Sequence, residues 1–214
     1  MEQNKPTAQE VEPTDDIIAK ARANKKGIML CVIVLLVVVI GAMVWLLVAQ
    51  NGSRKADEAI AKADIEQNDS VAMALYTEAA KAGYKSGNRA KAEVAVRLYK
   101  EAKYEEAIKY LDGCSLDDNI AAAGVYSLKG DCYANLQQYD KAVSNYQKAI
   151  SKANGNPEIV PMMLIKEANV FRTEGKYSDE AKAYKTILDD YPQYAQSMRI
   201  DIRKYYERAA AQAK

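Results

Sequence analysis

One apolar run and a periodic remainder divide the chain. Ile28 to Ala49 is a stretch of 22 residues without a charged side chain. At about 1.5 Å of rise per residue such a helix spans the roughly 30 Å hydrocarbon core of a bilayer, so the pattern predicts a transmembrane helix over residues 27–49. A cleaved signal peptide is the rival reading. Its apolar region runs to only about 7–15 residues and ends in a small-x-small site, which Leu47-Val48-Ala49-Gln50 fits poorly.

After a short polar linker, Gln50-Asn51-Gly52-Ser53, apolar positions recur at helical spacing almost without a break. Gly130 and Tyr133 sit three apart on one predicted helix, Gln137-Gln138-Tyr139-Asp140 makes a turn, and Ala142, Tyr146 and Ala149 fall at i, i+4 and i+7 on the next. Small residues at Gly130 and Ala142 let the two backbones approach, and the tyrosines fill the space beside them. The set recurs along the chain. Thirty-five residues earlier stand Ala95/Leu98 with Ala107, Leu111 and Cys114, and 35 before that Ile60/Ala63 with Ala72, Tyr76 and Ala79. Thirty-eight residues later come Ala168/Phe171 with Tyr184 and Ile187, closed by Pro192. There Glu180 stands where the alanine belongs and Ala181 follows, which predicts a local slip of that helix.

Helix pairs of this composition at this period resemble the tetratricopeptide repeat (TPR). The resemblance covers 53–192 and implies units of about 53–87, 88–122, 123–160 and 161–192 within a domain of 50–192. Pro157, Pro161 and Pro192 are expected between helices, and Gly83, Gly87, Gly113, Gly155 and Gly175 at turns, with Asn154–Pro157 the longest connection. Tyr194 to Ala213 reads as one more helix with Met198, Ile202, Tyr205 and Ala209 on one face. A helical stack leaves its last apolar face open, so 193–214 is expected to cap it. The rival, a helix lying on the membrane surface, suits the mixed charges and tyrosines less well. The expected fold class is therefore all-α: an N-terminal transmembrane helix, an α-solenoid of about four TPR helix pairs, and a C-terminal capping helix.

Charge adds an orientation. Lys20, Arg22, Lys25 and Lys26 crowd the N-terminal flank of the span against Arg54, Lys55 and Lys62 on the other side, and basic residues close to a span favour the cytoplasm. The N-terminus is thus expected in the cytoplasm and the repeats outside it, in the periplasm of a Gram-negative cell, with Trp45 as an interfacial anchor. Residues 1–26 carry five acidic and five basic side chains and few apolar groups. Such a segment buries too little surface to order itself, so a largely disordered tail is expected, with Thr14 able to cap a short helix into the membrane.

Composition removes chemistry rather than adding it. The chain has no histidine, the commonest general base and a common zinc ligand. It also lacks a Gly-rich phosphate loop and a nucleophile elbow. Carboxylates such as Asp117-Asp118 and Asp189-Asp190 read as solvated turn and helix-face charge, so neither an enzyme nor a cofactor is expected. Beyond residue 49 stand 25 basic and 24 acidic side chains, a balance that offers nucleic acid no attracting field. All 15 tyrosines follow the span, mostly in step with the repeats, as packing residues do. Cys31 lies within the span. Cys114 and Cys132 either pair across the second and third units in an oxidising compartment or serve as small buried apolar residues.

The whole outline is similar to the YfgM-like family of bacterial inner-membrane TPR proteins. The residues that carry this are Tyr104-Glu105-Glu106-Ala107-Ile108, Gly130-Asp131-Cys132-Tyr133, Tyr139-Asp140-Lys141-Ala142-Val143, Gly175-Lys176-Tyr177 and Asp201-Ile202-Arg203-Lys204-Tyr205. The resemblance implies a protein-binding accessory of the Sec translocon that meets periplasmic chaperones or client peptides. A scaffold for outer-membrane assembly or cell-wall synthesis is the alternative. Carrying the TPR groove positions onto this sequence gives Arg89, Tyr99 and Lys100 in the second unit, Asp131 and Asn135 in the third, and Asn169 and Arg172 in the fourth. Ala92 and Val96 stand where some TPR grooves place a Lys/Asn clamp for a terminal carboxylate, which argues against such a clamp.

Overall fold

The computed structural model describes residues 25–82, 85–197 and 201–214. The expectations for the tail before Lys25, and for Gly83 and Met198, lie outside them. Among the described residues the chain is all-helical: α1 (Lys25–Ile65), α2 (Asp69–Ala80), α3 (Lys85–Lys100), α4 (Tyr104–Asp112), α5 (Asn119–Asn135), α6 (Tyr139–Ala153), α7 (Ile159–Thr173), α8 (Tyr177–Asp190), α9 (Pro192–Ser197) and α10 (Ile202–Gln212). It divides into two compact units, Met1–Gln50 and Asn51–Lys214.

In the first unit the helix is long and apolar enough to cross a membrane. Its large apolar side chains from Ile28 to Val48 are 46% to 64% exposed, unlike those of a core helix, which its own protein covers. The linker expected at Gln50–Ser53 is helical instead, because α1 runs on to Ile65. A single glycine, Gly52, costs a helix only about 1 kcal/mol relative to alanine, and neither a proline nor a capping turn is there to stop it.

The second unit is a succession of helix hairpins, α3/α4, α5/α6 and α7/α8, preceded by α2, which shares its core with Ile60 and Ala63 at the end of α1. Each second helix also packs on the first helix of the next pair, and α3 touches α5 as α5 touches α7. The first helices therefore form one continuous inner layer. Ala107, Ala142, Ala149 and Ala168 are completely buried and Tyr76, Tyr146 and Tyr184 nearly so, which is the packing that the recurrent alanine and tyrosine positions require. Gly130 marks a close approach of α5 to α6, since a Cβ there would lie 2.5 Å from the Tyr146 ring.

Three of the hairpins close with one device. Ala102 and Gln137, at φ 58°, and Gly175, at φ 72°, are left-handed. The following amide reaches back to the last helical turn in each case: Lys103 to the Leu98 carbonyl at 2.9 Å, Gln138 to Tyr133 at 2.9 Å and Lys176 to Phe171 at 2.8 Å. This is the Schellman ending, which satisfies carbonyls the helix would leave orphaned. Side chains begin other helices: Asn68, Asp118 and Asp201 each accept from an amide in the first turn that follows.

Several local expectations change. Helix α8 keeps its register, with Glu180, Tyr184 and Ile187 at most 2% exposed, so no slip occurs. The buried Glu180 carboxylate instead meets Arg208 of α10 at 2.5 Å. Pro161 lies inside the first turn of α7, where its missing N–H has no intrahelical acceptor to lose. Gly87 lies in the first turn of α3 rather than in a loop, with the Ala82 carbonyl occupying the space a Cβ would need. The connection 113–118 is longer than that around Asn154–Pro157. The closing segment is two helices, because Asp201 is extended and caps α10 anew. Ile202 and Ala209 are buried, and Tyr205 stacks on Tyr184 at 5.7 Å between centroids. All three cysteines are free, with Cys132 fully buried and its thiol pushed up to about 11, chiefly by that burial.

A candidate protein-binding groove

Three adjoining cavities open along α3, α5 and α7, the one at the α3 end walled on its other side by α2. The central one, about 570 Å³, lies between α3 and α5; Ala92, Val96, Leu116, Gly124, Val125 and Leu128 make its apolar wall, and Arg89, Glu93 and Asp131 stand at its lip. A second, about 580 Å³, shares Glu93 and Val96 with it and reaches Asp69, Met73 and Lys100. The third, about 350 Å³, shares Asp131 and extends over Asn135, Tyr146, Lys166 and Asn169 to Thr173. The repeat explains the order. Residues at one register in successive first helices, such as Val96, Asp131 and Asn169, or Glu93, Leu128 and Lys166, face the same side of the layer and line successive cavities.

The charges at the central lip are held within the protein. Asp131 accepts from the Tyr146 hydroxyl at 2.8 Å and from Lys166 Nζ at 2.5 Å, and Lys166 also reaches the Ser127 hydroxyl at 3.1 Å. Arg89 pairs with Asp64 of α1 at 3.1 Å, and Glu93 with Arg97 at 3.2 Å. Two of these ties repeat one motif. A carboxylate on a first helix, Asp64 or Asp131, accepts from a buried tyrosine hydroxyl on the second, Tyr76 or Tyr146, and from a base on the next first helix, Arg89 or Lys166. A cation covers each ring: Arg97 lies 4.2 Å from the Tyr76 centroid and Lys166 5.8 Å from that of Tyr146. Burial, and then the neighbouring carboxylate, raises both hydroxyls above the ordinary phenol range.

The positions taken from the TPR pattern are dispersed along this layer. Asp131, Asn135 and Asn169 line one cavity, with Asn135 also donating to the Tyr99 hydroxyl at 3.4 Å. Asp131 and Arg89 frame the central cavity from opposite sides, each already ion-paired. Lys100 lines the second cavity. Tyr99 packs at 5.5 Å on Tyr104. Arg172 is exposed near the end of α7 and lines none of these cavities. The register Glu93/Leu128/Lys166 was missed. The period that places Val96, Asp131 and Asn169 would have found it three residues earlier in each helix.

Hairpins in register, a continuous inner layer of first helices and side-chain cavities along it define a helical-repeat protein of TPR type. Among solved structures the chain is similar to two crystal structures of MamA. One is 17% identical over 77% of this chain and 91% of that chain, with a TM-score of 0.49. The other is 17% identical over 67% and 87%, also with a TM-score of 0.49. No protein-family model matches the chain, and neither does any curated relative.

Proposed function

We propose that this protein is a membrane-anchored scaffold whose inner layer docks a protein segment in the bacterial cell envelope. The observation that carries the reading is the apolar central cavity, set between two first helices and open to an occupant. A row of helix hairpins presents such a surface to extended peptides or partner helices. The exposed apolar half of α1 supplies the anchor, and the basic flank before Ile28 favours a cytoplasmic N-terminus with the repeats in the periplasm. In that topology the resemblance to YfgM-like proteins suggests an accessory of the Sec translocon and its periplasmic chaperones.

Protease added to intact spheroplasts should digest the region after Gly52 and spare the tail; protection of the repeats would overturn the orientation. Purification in mild detergent should recover translocon channel subunits. Recovery of outer-membrane assembly or cell-wall synthesis proteins in their place would move the role to the alternative scaffold.

A further inference from the structure

The charged lip of the central cavity has no charge to spare. Arg89, Glu93 and Asp131 are each matched inside the protein, by Asp64, Arg97 and Lys166. A charged partner would have to break one of these pairs and would gain only a similar pair in exchange. The wall between them offers apolar contact from Ala92, Val96, Leu116, Val125 and Leu128, where burial of a bulky apolar side chain is favourable.

The spacing of the cavities adds a length. First helices in contact lie roughly 8–10 Å apart, which an extended chain in polyproline II form covers in about three residues at 3.1 Å each. Such a segment has three residues per turn, so one crossing the layer would keep every third side chain turned toward it. The two flanking cavities, lined by Asp69, Lys100 and Glu101 on one side and Asn135, Asn169 and Thr173 on the other, suit polar side chains or backbone.

Building on the docking reading above, we propose that the groove takes an uncharged extended segment. Its one bulky apolar side chain sits in the Ala92/Val96/Leu128 cavity, and polar residues lie about three positions away on each side. Selection is by apolar volume within a neutral frame, and binding is insensitive to salt.

Gly124 supplies the test, because it lines the cavity and a Cβ added there meets nothing within 4 Å, so the side chain of Gly124→Leu starts into open space. The full chain in nanodiscs is titrated with a labelled Ser/Gly peptide of about nine residues bearing one central leucine, and with the same peptide bearing glutamate or lysine there. The leucine peptide should bind at least tenfold more tightly than either charged one, with little change between about 0.05 and 0.5 M salt. Gly124→Leu should weaken it at least tenfold, and Lys148→Ala, exposed on α6, should not. Preference for a charged peptide, or affinity falling steeply with salt, would overturn the neutral apolar anchor while leaving groove docking in place if Gly124→Leu still blocks it. Leucine-peptide binding untouched by Gly124→Leu would overturn both.

Discussion

Gly124 and Gly130 stand six residues apart on α5, and the same substitution should act on them with opposite sign. An alanine at 124 meets open space and gains helix propensity of about 0.5–1 kcal/mol. An alanine at 130 gains as much but drives its Cβ to 2.5 Å from the Tyr146 ring, and that ring is held in place by its hydrogen bond to Asp131. Overpacking of this kind costs about 1–3 kcal/mol. Denaturant melts of the full chain should find Gly124→Ala stabilised and Gly130→Ala destabilised, and equal shifts would remove Gly130 from the helix contact. Glu167 is a second residue with a measurable signature. It is 5% exposed with one carboxylate oxygen unpartnered, and burial pushes it up to about 7 from an ordinary 4.5. Because the native state holds this proton more tightly than the unfolded chain, its stabilising contribution is complete below about 4.5 and lost as the pH rises through about 7. Glu167→Gln should remove that dependence and be the more stable form at pH 8, by about 2–3 kcal/mol. Parallel stability–pH curves for the two proteins would show that Glu167 is not the group concerned.

At the scale of elements, what was legible and what was not have separate causes. The hairpins could be read because alanine, glycine and tyrosine at helical spacing recur at 35 and 38 residues, and the structure buries those positions. The turns at Gln137 and Gly175 could be read, but only Gly175 announces its left-handed backbone. Ala102 and Gln137 take the same left-handed turn without glycine, and a non-glycine residue there is strained by about 1–2 kcal/mol. Gln137→Gly should therefore raise stability by about 0.5–1 kcal/mol, the remainder offset by the freer unfolded chain. A loss of stability would mean that the Gln137 side chain holds the turn. Glu180 was misread as a slip because a buried carboxylate contradicts every local rule. Its partner, Arg208, lies 28 residues away on an element no local pattern connects to it. Removing that partner strands the charge, and fully buried pairs lose about 3–5 kcal/mol in this way. With the Arg208 side chain 37% exposed, Arg208→Met should cost about 3 kcal/mol, and a change under about 1 kcal/mol would mean that α10 is not fastened through this pair. The break at Asp201 was hidden in the same way, by an apolar spacing that continues through it.

At the scale of the molecule, the groove was partly legible. The period alone places Asp131, Asn135 and Asn169 on one wall, but it cannot tell which charges find partners inside the protein. Arg89 and Asp131, read as contacts for a ligand, also tie successive first helices together. The wall an occupant would meet is built from small and apolar residues that carry no chemical signature in a sequence. The central claim is that the partner lies on this inner layer, and photo-crosslinking in living cells tests it most directly. A photoreactive phenylalanine analogue at Val96, in the central cavity, is compared with one at Lys148, exposed on the second helix α6. The account predicts a discrete crosslinked protein partner from Val96 and none above background from Lys148; crosslinking of that partner from Lys148, with none from Val96, would contradict it.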